Sequence, residues 1–280
     1  MRVLLLGAHG QLGMAVSTLL PRDTLRWGRE ELDLTRMEAI RPCIIAAKPD
    51  IIINAAAFTD VDRCEIEREL AVAVNEEASE TIAGAAKELG AYFIQISTDY
   101  VFGGDISRMA PYKESDIPHP VNFYGMTKLS GEQKIQDIGG RILIIRTSGL
   151  YGGRNTQANY VQKILEFARM QPAVRATADQ VYSPTWVQEC ARSIWHLIEE
   201  GKEGLVHLVN TGAVSRFDFT KAIIEFSGLA TDVLSAQRSD FPLLAPRPAF
   251  SALTSERIIL ETYMNDWKTA LQNYFKEFAV

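Results

Sequence analysis

The feature that most constrains this chain lies at its N-terminus. An apolar run, Val3-Leu4-Leu5-Leu6, passes straight into Gly7-Ala8-His9-Gly10-Gln11-Leu12-Gly13. Consecutive apolar side chains predict a strand buried on both faces. The run is too short for a secretory leader, and no small-residue cleavage site follows it. The glycines predict a tight turn into a helix, where backbone can approach a pyrophosphate resting on the helix N-terminus. Gly7, Gly10, Gln11, Leu12 and Gly13 are therefore candidate cofactor residues. The spacing is GxxGxxG, a departure from the GxGxxG of the usual dinucleotide fingerprint.

A first strand and turn of this kind need partners. Apolar strands are predicted over 3–6, 24–27, 51–54, 92–97 and 142–146, with helices over 12–20, 36–47, 67–89 and 124–136 between them. That alternation implies an α/β chain, a Rossmann-type doubly wound parallel sheet joined by right-handed crossovers. The chain has 280 residues, 47% hydrophobic and 23% charged, enough for one large domain or a domain with a lobe. We expect a dinucleotide-binding domain over 1–150. Residues 151–280 should form mainly a smaller substrate-binding lobe that packs closely and partly returns to the first domain. In that half, helices are predicted over 160–169, 184–200, 217–227 and 263–278, a strand over 205–210, and a proline-rich loop over 240–248.

The strand ends carry the candidate chemistry. After the second strand comes Trp27-Gly28-Arg29, with no carboxylate where an NAD site often places one for the ribose hydroxyl. Arg29 reads either as an exposed surface charge or as a fork for the 2′-phosphate of NADPH. Asp33 and Leu34 would flank the adenine. Ala55, Ala56 and Ala57 follow Asn54 at the third strand, small enough for a cofactor to cross the sheet edge or for a helix to pack there. Ser97-Thr98-Asp99-Tyr100-Val101-Phe102 ends the fourth strand. Tyr124-Gly125-Met126-Thr127-Lys128 places a phenol and an ammonium on one helix face. An ammonium near a phenol is expected to lower its pKa, fitting Tyr124 to protonate a carbonyl oxygen as hydride reaches its carbon. His9 reads as a loop or cofactor-edge contact, Asn75 as a residue inside a long helix with either a structural role or a bond across to this region, and Glu65 to Glu69 as a solvated face. Trp186, Trp195 and Trp267 read as core.

Several classes are disfavoured. Net charge is −6 with no basic run, which argues against nucleic-acid binding. No apolar stretch nears the roughly 20 residues of a membrane span. Cys43, Cys64 and Cys190 are widely spaced; they fit a reducing cytoplasm and, with the four histidines, make no metal spacing.

Together the glycine loop, Asn54 to Asp62 (NAAAFTDVD), STDYVF and YGMTK resemble the extended short-chain dehydrogenase/reductase superfamily. Within it the chain is most similar to the dTDP-4-dehydrorhamnose reductase family. Asp179 to Thr185 (DQVYSPT) and Arg247 to Leu253 (RPAFSAL) extend the resemblance over nearly the whole chain. It implies Thr98, Tyr124 and Lys128 as catalytic residues, with Tyr124 and Lys128 also touching the cofactor. It implies Asp99 and Tyr100 near the sugar, Arg247 at the diphosphate, NADPH as cofactor with NADH possible, a dTDP-4-keto-6-deoxy sugar as substrate, and a homodimer as one possible assembly. The expected location is the cytoplasm.

Two positions depart from the family. Gly149 stands where a sugar-contacting Trp is usual, and Tyr182 where a Gly is usual. The ring of Tyr182 is expected either to fill the space opened at Gly149, as a substrate contact, or to pack in the core. Two other functions are open to such a chain. A nucleotide-sugar epimerase or dehydratase retains its nicotinamide; dehydratases usually carry Asp-Glu after the Thr, where this chain has Asp99-Tyr100. A non-catalytic subunit like the regulatory subunit of methionine adenosyltransferase resembles the same family.

Overall fold

The computed structural model describes residues 1–153 and 159–278. Its centre is a six-stranded parallel sheet. Five strands come from the first half: β1 (Val3–Leu6), β2 (Leu25–Trp27), β3 (Ile51–Asn54), β4 (Tyr92–Thr98) and β5 (Ile142–Thr147). After the short strands β6 (Leu150–Tyr151), β7 (Ala173–Thr177), β8 (Val181–Tyr182) and β9 (Thr185–Trp186), the second half returns β10 (Gly204–His207) to pair with β5. The sheet order is β2-β1-β3-β4-β5-β10.

Helices cover both faces. On one lie α1 (Gln11–Ser17) and a later helix, Val187–Glu199, whose Cys190, Ile194 and Leu197 share a core with Leu12 and Val16. On the other, α2 (Met37–Ala47) contributes Ile40 and Ile44. Between β3 and β4 the chain forms α3 (Val61–Ile66), α4 (Arg68–Val72), a π-helical turn (Ala73–Glu77) and α5 (Ala78–Leu89). The helix expected as one piece over 67–89 is thus interrupted, because Asn75 in the π turn bonds sideways rather than following the helix. Next comes α6 (Phe123–Ile138), which carries the Tyr/Lys pair.

The second half adds α7 (Tyr160–Met170), α8 (the Val187–Glu199 helix), α9 (Arg216–Ser227), α10 (Leu260–Tyr263) and α11 (Trp267–Phe278). Strands β11 (Val214–Ser215) and β12 (Asp232–Ala236) pair with β8 and β7, and β6 pairs with β9. The β8–β11 and β6–β9 pairings, two residues each, are too short to leave a periodic pattern. They also move boundaries: α8 starts at Val187 because Thr185 and Trp186 pair with β6. The helix expected over 263–278 is broken between Tyr263 and Trp267. A second core, built on Tyr151, Leu165, Phe219, Ile223, Leu271 and Tyr274, lies under these elements. No described helix is long and apolar enough to cross a membrane.

Candidate active site

In this order the strands are added outward in opposite directions from β1 and β3, and that switch opens a crevice at their carboxyl ends. Gly7 turns there with φ +73°, and a Cβ on it would lie 2.5 Å from the Ala56 nitrogen. A Cβ on Gly13 would lie 2.0 Å from the Gly7 carbonyl oxygen. Both positions therefore demand glycine, and the turn rests directly on the end of β3. The cleft, about 410 Å³, is lined by Gly7, Gly10, Arg29, Asp33, Leu34 and Ala55 to Ala57.

Five expected cofactor residues do not line it: Tyr124 and Lys128, which sit on α6, and three of the glycine segment. Gln11 Nε2 donates to the Gly152 carbonyl at 2.8 Å, tying α1 to the second half. Leu12 is in the core, and Gly13 is covered by the turn. Conversely, His9, Thr35 and Arg63 line the cleft. The His9 ring occupies the space above Gly28, where a Cβ would meet Nδ1 at 2.3 Å. Arg29 is both exposed and on the cleft, paired with Asp33 at 3.3 Å. The backbone N–H and hydroxyl of Thr35 hold the Asp33 carboxyl below its ordinary value.

The second group forms where β4 meets α6. Asn122 caps α6 by accepting from Gly125 N at 2.9 Å, and Glu65 accepts from Phe123 N at 2.8 Å. Glu65 thus anchors this helix rather than belonging only to a solvated face. A Cβ on Gly125 would lie 2.1 Å from the Tyr100 carbonyl oxygen, so glycine lets α6 press against the turn after Thr98. Asn75 joins the same place: its Oδ1 accepts from Phe58 N at 2.9 Å, and its Nδ2 donates to Thr127 Oγ1 at 3.2 Å.

Tyr124 and Lys128 are both buried. Tyr124 meets the Tyr100 ring edge-on at 5.9 Å, with the Thr98 hydroxyl beside its phenol. Burial raises the phenol well above its ordinary value; Thr98 opposes this and the Asp99 carboxylate adds to it. Lys128 Nζ donates to the Ile96 carbonyl at 2.8 Å, and burial pushes its pKa down to about 8 against the pull of Glu132. The expected lowering of the phenol by Lys128 is therefore not found. Desolvation dominates the phenol, and the Lys128 ammonium is held by backbone. Asp99 accepts from Ser251 Oγ at 2.6 Å and from Thr98 Oγ1 at 3.3 Å, and burial raises it to about 6.

Behind Lys128 is a buried network that the motifs did not reveal. Arg146 Nη2 donates to Glu132 Oε2 at 2.6 Å, and both side chains are 3% exposed. Ser97 Oγ also donates to Glu132, while Arg146 Nη1 lies 3.4 Å from His207 Nε2. The available signal was Glu132, four residues after Lys128 on α6.

A second cavity, about 690 Å³, opens in the second half and is lined by Tyr160, Gln180, Arg175, Arg216, Arg238 and Arg247 among others. Arg247 reaches it, but its guanidinium pairs with Asp62 through 3.2 and 2.9 Å hydrogen bonds. Tyr182 and Gly149 are in contact: a Cβ on Gly149, at φ +52°, would lie 2.4 Å from Tyr182 Cε2. The ring fills that space and does not line this cavity. It packs edge-on against Phe219 in the second core, beneath Arg216. Arg216 and Tyr160, like Arg175 and Arg238, are cavity residues that the motifs missed.

The whole chain, residues 1–280, matches the model of the family described as "RmlD substrate binding domain". It is 34% identical to a spore coat polysaccharide biosynthesis protein of Bacillus subtilis, over 99% of this chain and 97% of that one. It is likewise 34% identical to a dTDP-4-dehydrorhamnose reductase of Mycolicibacterium smegmatis, over 97% and 84%. The crystal structure of dTDP-4-dehydrorhamnose reductase from Bacillus anthracis in complex with NADP superposes with a TM-score of 0.91 at 33% identity, over 99% of each chain.

Proposed function

The chain belongs to the RmlD substrate binding domain family, and from that premise we propose that it is a nucleotide-sugar reductase. Its substrate in this reading is dTDP-4-dehydro-L-rhamnose, reduced at the C4 ketone to dTDP-L-rhamnose with NADPH. One observation carries the reading. Thr98, Tyr124 and Lys128 meet at the carboxyl edge of the sheet, which also forms the glycine-turn cleft. Relatives of like length named dTDP-4-dehydrorhamnose reductase, one of them a structure holding NADP, support the choice of substrate and cofactor.

The cleft fits a dinucleotide. Its turn leaves no room for a Cβ at Gly7, so backbone is free to lie against a diphosphate, and Ala55 to Ala57 keep the sheet edge low. Arg29 and His9 place positive and hydrogen-bonding groups at the adenosine end. A nicotinamide cofactor held there supplies the hydride.

The chain's own residues handle the proton. Burial keeps the Tyr124 phenol protonated at neutral pH, so its Oη holds the proton destined for the C4 oxygen. The Thr98 hydroxyl, beside that phenol, donates a hydrogen bond to the same oxygen and favours the charge that develops on it. Lys128 keeps its own proton below about pH 8 and so sets a positive charge on the same helix face as the phenol. The test is incubation with NADPH and dTDP-4-dehydro-L-rhamnose. Stoichiometric NADPH oxidation with formation of dTDP-L-rhamnose supports the reading, and absence of NADPH oxidation overturns it.

A further inference from the structure

Four arginines line the cavity of the second half, and three have carboxylate partners. Arg175 pairs with Asp240, Arg238 with Asp179 and Arg247 with Asp62. Arg216 has no carboxylate partner among the described residues, although it is partly buried. Its position is set by backbone: β11 pairs antiparallel with Val181 and Tyr182 of β8, and Arg216 N donates to the Gln180 carbonyl at 2.9 Å. The guanidinium carbon lies 4.8 Å from the centre of the Tyr182 ring and 4.9 Å from that of Tyr160. Its charge also acts on the buried Tyr100 phenol, and the Tyr100 ring abuts Tyr124.

A cation held against aromatic faces is fixed in orientation without being neutralised. The planar fork remains able to take a phosphate through two parallel hydrogen bonds. Its location narrows the ligand further. Arg216 stands between the phenol, where a ketone would react, and the rest of the cavity, where there is room for a nucleoside. In a nucleotide-sugar the group between those two ends is the diphosphate. A chain of net charge −6 needs a local cation to hold it.

We propose that Arg216 grips the diphosphate of the nucleotide-sugar, and that Tyr182 is its positioning residue, seated in the room that glycine at 149 leaves open. This rests on the nucleotide-sugar reading above. Gly149 and Tyr182 form one device, since a side chain at 149 would collide with the ring that supports Arg216.

Calorimetric titration with dTDP, dTMP and thymidine tests this on the full chain. Wild-type protein is expected to favour dTDP over thymidine. Arg216→Ala should weaken dTDP binding on the order of 10- to 100-fold, with thymidine and NADPH binding unchanged. Arg216→Lys should recover only part of the loss, because a point charge cannot make the paired contact. Tyr182→Ala should lower the dTDP preference in the same direction, and Tyr182→Phe, which keeps the ring, should restore it. Arg216→Ala binding dTDP as wild type does would overturn the assignment and leave the nucleotide-sugar reading standing. Wild-type protein that ignores dTDP while binding NADPH would overturn that reading, and the assignment with it.

Discussion

At the residue scale, the site's chemistry is set by desolvation more than by pairwise charge. Tyr124 is buried beside Thr98 and Asp99, so its proton is held tightly until a substrate oxygen arrives to accept it. Replacing Tyr124 with Phe should therefore leave NADPH affinity unchanged while lowering turnover by on the order of 10²-fold or more. Steady-state kinetics checks this, and wild-type turnover would remove Tyr124 as the acid. Lys128 shows the cost of the same environment. Its folded pKa is about 8 against an ordinary 10.5, so the folded state binds its proton less readily than the unfolded chain. The penalty is fully present below pH 8, shrinks as pH rises, and vanishes above 10.5. Lys128→Met should accordingly stabilise the cofactor-free protein at pH 7 by on the order of 1–3 kcal/mol, while abolishing activity. The Ile96 carbonyl keeps the Gln95 side chain as a donor after the change. Denaturant midpoints at pH 7 and pH 10 measure the effect; a variant less stable than wild type at pH 7 would contradict it.

At the element scale, α6 is placed by residues outside it. Glu65 reaches its first turn from α3, Asn122 caps it, and Asn75 grips its middle from the π turn. A π turn is a costly interruption of a helix and often marks a working position. Here it lets Asn75 face sideways, satisfying both backbone groups of Phe58 as well as the Thr127 hydroxyl. Asn75→Ala should take the acceptor from the Phe58 N–H and one partner each from the Phe58 carbonyl and the Thr127 hydroxyl, which keep Cys64 Sγ and the Tyr124 carbonyl. We expect a stability loss of about 2–4 kcal/mol and a fall in kcat, because α6 carries Tyr124. Urea denaturation with kinetics on the folded fraction separates the two effects; an unchanged kcat would show that α6 holds its place without Asn75.

At the scale of the whole molecule, the two halves are joined across the mouth of the site. Asp62, on α3 after the cofactor strand β3, accepts from Arg247 and from Ala245 N at 2.8 Å. Asn122 Nδ2, at the head of α6, donates to the Pro246 carbonyl at 2.9 Å. The segment 245–247 is thereby fastened to both the cofactor side and the catalytic helix. Arg247→Ala should raise KM for the nucleotide-sugar about 10-fold, with little change in NADPH affinity. Because this ion pair is partly solvent-exposed, its loss should change stability by no more than about 1 kcal/mol. Parallel measurement of KM, NADPH Kd and the denaturation midpoint checks all three. A loss confined to NADPH affinity would place Arg247 on the cofactor side.

The sequence by itself determined the parallel sheet and the tight glycine turn after its first strand, because both depend on local rules. Short unbroken apolar runs such as 3–6 and 51–53, bounded by turn residues and alternating with amphipathic helices, read as buried strands. Gly13 is demanded by contact with the Gly7 carbonyl six residues earlier, while the demand at Gly7 comes from Ala56 on the adjacent strand and belongs to the packed state. The spacing of Tyr124 and Lys128 likewise put both on one face of α6. Tertiary structure alone decided what surrounds them. The direction of the Tyr124 shift, the Arg146–Glu132 network behind Lys128, the Asp62–Arg247 tie and the seat of Arg216 on Tyr182 all join groups far apart in the chain. Desolvation and contact are properties of the packed state, and no spacing along the chain encodes them.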